Sequence, residues 1–115
     1  MKLNVVYIDD ETDLCEIFSD FFSSEDVSIS TFSEPSMAIE RIEMDGPDLI
    51  FIDYNLGYLT ADEFVLKMKK EIPCVLVSGD ADIKTKLSYF KQITKPYEKD
   101  EIEEVFGHFL KIKNK

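Results

Sequence analysis

At 115 residues, 44% of them hydrophobic and 12% aromatic, the chain has the size and composition of one globular domain, and disorder is excluded. A net charge of −11 speaks against direct nucleic-acid binding, and no apolar run reaches the ~18 residues of a membrane span. The opening Met1-Lys2-Leu3-Asn4-Val5 turns polar too soon for a signal peptide, and Cys15 and Cys74 lie apart with no Cys-x-x-Cys spacing, so two buried reduced thiols and a cytoplasmic location are expected.

The charge is uneven along the chain. Residues 1–63 carry sixteen acids against Lys2 and Arg41, a balance of −14, whereas residues 64–115 balance at +3. The first half is therefore the place to look for a cation, and the second is freer to make other contacts.

Taken in order, Val5 to Ile8 is a short apolar run that stops at Asp9-Asp10-Glu11. Thr12 to Ser24 puts Leu14, Ile17, Phe18, Phe21 and Phe22 at helical spacing on one face. Val27 to Phe32 alternates as a half-buried or edge strand does. Ser33-Glu34-Pro35 opens a second helix, with Ala38, Ile39 and Ile42 inward, and Asp45-Gly46-Pro47 stops it. Leu49 to Ile52 is an uninterrupted apolar run ending in Asp53, the pattern of a strand buried on both faces.

Thr60-Ala61-Asp62-Glu63 matches a capping box ahead of Phe64, Val65 and Met68. Cys74 to Val77 is another apolar run, ending at Ser78-Gly79. Asp80 to Tyr89 has the length of a short helix, Gln92 to Thr94 of a brief strand before Lys95-Pro96, and Lys99 to Lys113 of a final helix. That helix would bury Ile102, Val105, Phe106, Phe109 and Ile112, while His108 reads as a surface or interface residue. No repeat or linker is visible, so residues 1–115 are expected to form a single domain without an output domain. Five β-α units with near-continuous apolar strands imply an α/β fold, a doubly wound parallel sheet with helices on both faces.

In such a sheet the carboxyl ends of the strands share one edge, so residues 44, 25 and 17 positions apart can converge there. They are Asp9 and Asp10, Asp53, Ser78 and Lys95. Three carboxylates within about 5 Å repel by roughly 3 kcal/mol per pair at an effective dielectric near 20. One lysine cannot neutralise them, but a divalent cation can. Hard oxygen donors with room for water and a phosphoryl oxygen favour Mg²⁺. Asp53 would then serve as an anionic nucleophile, with Ser78 and Lys95 on the other phosphoryl oxygens.

These residues, in this order and strand context, resemble a response-regulator receiver domain of two-component phosphorelay signalling over the whole chain. The resemblance implies a (βα)5, flavodoxin-like sheet of order 2-1-3-4-5. It implies that Asp53 is the phosphoacceptor and that Asp10, Asp53 and the backbone carbonyl of Asn55 ligate Mg²⁺, with Asp9 assisting through a water. Ser78 would be the switch hydroxyl and Lys95 its partner on the phosphoryl group, with a cis bond between Lys95 and Pro96. The donor would be a histidine kinase or histidine phosphotransfer domain, and the signal would pass to a further protein by contact. The domain would promote only its own phosphorylation and dephosphorylation, and would not be an enzyme acting on other substrates.

Three departures from the family pattern stand out. Gly57 replaces the usual proline after the phosphoacceptor, which predicts a more mobile loop, while Thr60 can take over the helix cap. Only seventeen positions separate Ser78 from Lys95, so the fourth helix must be shortened. Gln92 occupies the position of the aromatic that usually moves with the switch hydroxyl, so readout is expected through a remodelled fourth-helix face or the loop after Asp53. A flavin or nucleotide binder would need a phosphate-cradling loop where Asp9-Asp10-Glu11 stands. A haloacid-dehalogenase-type phosphatase wants an acid where Asn55 stands. A receiver-like module that signals without phosphorylation is the remaining alternative.

Overall fold

The computed structural model describes residues 2–115. Five parallel strands, β1 (Leu3–Ile8), β2 (Val27–Phe32), β3 (Leu49–Asp53), β4 (Cys74–Ser78) and β5 (Lys91–Thr94), form one sheet of order β2-β1-β3-β4-β5. Four helices accompany them: α1 (Thr12–Phe22), α2 (Pro35–Asp45), α3 (Ala61–Lys67) and α4 (Lys99–Lys113). The α/β class and the strand order agree with the sequence reading.

Strand alternation sorts the core into two layers. Leu3, Val5 and Tyr7 of β1, Phe51 of β3 and Val75 and Val77 of β4 pack with Phe18 and Phe22 of α1 and with Ile102, Val105 and Phe106 of α4. The opposite side chains, Val6, Ile8, Ile50, Ile52 and Leu76, pack with Ala38 and Ile42 of α2 and Phe64 of α3. The register pairs Ile8 with Ile52, Asp53 with Val77 and Ser78 with Thr94. Neighbouring strands thus end at nearly the same level, and the residues that follow them share one edge.

The helix expected over 80–89 is absent; the chain runs from β4 to β5 through turns and irregular backbone. Side chains there capture the backbone groups a helix would use. Ser78 Oγ accepts from the Asp80 N–H at 3.0 Å, Asp80 Oδ1 from the Asp82 N–H at 2.9 Å, and Asp62 Oδ2, on α3, from the Lys86 N–H at 2.9 Å. Tyr89 completes the anchorage by donating its hydroxyl to Asp62 Oδ1 at 2.7 Å.

Smaller differences have similarly local causes. Phe21 and Ile17 are exposed, at 70% and 48%, because α1 turns only the Cys15, Phe18, Phe22 line toward the sheet. Ile112, in the last turn of α4, is likewise exposed. The cap of α2 is Glu34, which accepts from the Ser36 N–H ahead of Pro35, and Ser33 plays no part in it. The capping box of α3 forms as read: Thr60 Oγ1 accepts from the Glu63 N–H at 3.2 Å and the Glu63 carboxylate from the Thr60 N–H at 3.0 Å. Both cysteines are buried and free. No helix among the described residues is long and apolar enough to cross a membrane.

Candidate functional site

At the carboxyl edge of the sheet, oxygens of Asp9, Asp10 and Asp53 all lie within 4.8 Å of one another. The three differ in exposure: Asp9 is fully buried, Asp53 half-buried and Asp10 exposed. A shallow cleft beside them is bordered by Asp10, Asp53, Asn55, Ser78, Gly79 and Lys95. All the residues singled out from the sequence are therefore brought to one place.

Lys95 bridges two of the acids. Its Nζ lies 2.8 Å from Asp9 Oδ2 and 3.2 Å from Asp53 Oδ1. The Lys95–Pro96 bond is cis, and the Lys95 N–H, donated to the Ser78 carbonyl at 2.7 Å, fixes where the side chain leaves the backbone. The same contact ties Ser78 to the lysine. The Ser78 Oγ accepts from the Asp80 N–H, which leaves its own proton to donate into the cleft.

The loop after Asp53 is folded back onto itself. The Leu56 N–H donates to the Leu59 carbonyl at 3.0 Å and the Ala61 N–H to the Tyr54 carbonyl at 2.8 Å. Gly57 makes that turn at φ +88°, a left-handed conformation that glycine adopts without a steric penalty. Asn55 pairs with Thr60 in an isolated bridge, holding its peptide unit beside the acids.

The electrostatics match the crowding of charge. Burial pushes the Asp53 carboxyl up to about 6; the Lys95 ammonium opposes this and the Asp9 and Asp10 charges add to it. Burial alone would lower the Lys95 ammonium, but its hydrogen bond to Asp9 and the charges of Asp53 and Asp9 carry it above its ordinary value. An excess of hard anionic oxygens, whose crowding a small divalent cation would relieve, is a donor set suited to such an ion. Asp9, Asp10 and Asp53 each bring one carboxylate oxygen to a group that could hold it. Asp9 is already engaged on both oxygens: Oδ1 accepts from the Glu11 N–H at 3.0 Å, and Oδ2 from Lys95 and from the Tyr7 hydroxyl at 3.0 Å.

The family model for the response regulator receiver domain matches residues 5–106. The chain belongs to that family. The receiver is 26% identical over 112 residues to the nitrogen assimilation regulatory protein NtrX of Azorhizobium caulinodans, a match that covers 89% of this chain and 25% of that protein. It thus spans about a quarter of that relative's length. Among solved structures, the CheY-like response regulator receiver domain from Methylobacillus flagellatus superposes at a TM-score of 0.84, with 19% identity and coverage of 95% and 99% of the two chains. NtrX from Brucella abortus, in complex with ADP, superposes at 0.82 with 26% identity, over 97% of this receiver and 28% of that chain.

Two groups that shape the site escaped the sequence reading. Tyr7 sits two residues before Asp9 and therefore on the same side of β1, and an aromatic with a polar tip in the otherwise aliphatic run Val5 to Ile8 is the signal that could have found it. Asp62 was read only as part of a helix start, yet it is buried and holds the 79–90 segment through Lys86 and Tyr89.

Proposed function

We propose that this receiver accepts a phosphoryl group on Asp53 from a phosphohistidine of a histidine kinase or histidine phosphotransfer domain, in an Mg²⁺-dependent reaction in the cytoplasm. It passes the signal on through protein contacts. The observation that supports this most is the bridging of Asp9 and Asp53 by Lys95 inside a triad of carboxylates, since a carboxylate that could attack, acids that could hold a cation and an ammonium that could meet a phosphoryl oxygen lie side by side.

Mg²⁺, held by Asp10, Asp53 and the Asn55 carbonyl, would supply the positive charge that screens the approach of one anion to another. An Asp53 carboxylate oxygen attacks phosphorus, the P–N bond to the donor imidazole breaks, and an acyl phosphate forms. Lys95 extends its ammonium to one phosphoryl oxygen, and Ser78 donates its hydroxyl proton to another. These groups hold the transferring phosphoryl group in line with the attacking oxygen.

Readout in the family's usual manner has no residue to run through, because Gln92 is exposed on the edge strand and carries no ring. The 79–90 segment follows Ser78, whose Oγ accepts from the Asp80 N–H, and is anchored on α3 by Asp62, so it offers a route from the serine hydroxyl to that anchor. Treatment with acetyl phosphate and Mg²⁺, then borohydride reduction and peptide mapping, tests the reaction. Homoserine in place of Asp53 is the expected result, and reduction at any other residue would refute the assignment.

A further inference from the structure

The geometry points to Tyr7 as a positioning residue for phosphoryl binding: its hydroxyl holds the Asp9 carboxylate that in turn holds Lys95, and so leaves the ammonium able to follow a phosphoryl group on Asp53. This rests on the phosphoacceptor reading above.

Tyr7 and Asp9 are alternate residues at the end of β1, so both side chains leave the sheet on the α1 side. Neither has any exposed surface. The Tyr7 ring stacks on Phe18 with centroids 4.1 Å apart and planes within 15°, which fixes where the hydroxyl can reach. That hydroxyl and the Lys95 ammonium donate to the same oxygen, Asp9 Oδ2, at 3.0 and 2.8 Å. The other oxygen has the Glu11 N–H at 3.0 Å. Burial and the nearby Asp9 charge hold the Tyr7 phenol well above its usual value.

The consequence lies in the difference between two states. Before phosphoryl transfer, Lys95 covers Asp9 Oδ2 and also reaches Asp53. Any turn of the ammonium toward a phosphoryl oxygen weakens its bond to Asp9, whose carboxylate water cannot reach. A buried anion left short of donors is unfavourable. With Tyr7 in place, Oδ2 keeps a hydrogen bond when Lys95 turns away. Without that hydroxyl the carboxylate claims the ammonium for itself, and the phosphoryl group is held less well. The Tyr7 hydroxyl donates to Asp9 and to neither Asp10 nor Asp53, the acids proposed to ligate the cation directly, so cation binding should be largely spared.

The test uses beryllofluoride as the phosphoryl stand-in and follows backbone amide shifts in the wild type, Tyr7→Phe, Lys95→Ala and the double variant. Tyr7→Phe keeps the ring stack and removes one oxygen. Its Mg²⁺ affinity should stay within about twofold of wild type, while its beryllofluoride affinity at saturating Mg²⁺ should fall about tenfold. In the Lys95→Ala background, Tyr7→Phe should change beryllofluoride affinity by less than about twofold, because the hydroxyl acts through the lysine. An unchanged beryllofluoride affinity in Tyr7→Phe overturns the inference alone. So does an equal loss of Mg²⁺ and beryllofluoride binding, an undiminished effect without Lys95, or a Tyr7→Phe protein that has lost the folded amide spectrum. A wild type that binds Mg²⁺ but no beryllofluoride overturns the phosphoacceptor reading first, and the role of Tyr7 with it.

Discussion

Replacing Asp53 with Asn should make the metal-free protein more stable. The Asp53 side chain is only 13% exposed, and its carboxyl is pushed from 3.8 up to about 6 by burial together with Asp9 and Asp10, after the opposing effect of Lys95. Ionising such a group against the fold amounts to about 3 kcal/mol at neutral pH. The sign follows from proton binding. The folded carboxyl has the higher pKa, so the folded state holds more protons between 3.8 and 6, and the handicap grows as pH rises through that window. Below it both states are protonated and the handicap vanishes; above it the handicap is complete. Asparagine keeps the shape without the charge.

Urea unfolding followed by circular dichroism, in the presence of a chelator, should therefore place Asp53→Asn up to about 3 kcal/mol above wild type at pH 7, or about 10 °C higher in Tm. The gap should close toward pH 4. Mg²⁺ should narrow it at pH 7 by stabilising only the wild type. A variant that is no more stable at pH 7, or a gap that ignores pH, would refute the electrostatic account of the site.

Two further substitutions probe the neighbouring groups. In Lys95→Met, Asp53 loses the one neighbour that lowers its pKa, so its carboxyl should titrate above about 6 when followed by side-chain carbon NMR; a lower value would contradict the bridging role of the lysine. Asp62→Asn should cost about 1–3 kcal/mol and speed amide exchange over residues 83–90, because Lys86 and Tyr89 each lose part of a buried acceptor. Exchange unaltered in that segment would mean that its anchor lies elsewhere.

The sheet and the site were legible for the same reason. Strands such as Leu49 to Ile52 are apolar on both faces, which only a covered parallel sheet accommodates, and each then delivers one polar residue to a common edge. The segment between Ser78 and Lys91 was not legible. Its helical length and composition were outweighed by backbone N–H groups that donate to Asp80 within the segment and to Asp62 on another element, and the second of these has no signature in local sequence. The exposure of Phe21 was hidden similarly: helical spacing gives a face, but the sheet and α4 decide which part of that face is covered. Tyr7 was visible as core and invisible as a partner of Asp9, since one strand's alternation had to be combined with the depth of the site.

The measurement that bears most directly on the central claim is the intact mass of the protein after incubation with Mg²⁺ and a small phosphodonor. A gain of one HPO₃ group in the wild type is expected, absent when the metal is chelated and absent in Asp53→Asn. No gain in the wild type, or a gain that persists in Asp53→Asn, would contradict it.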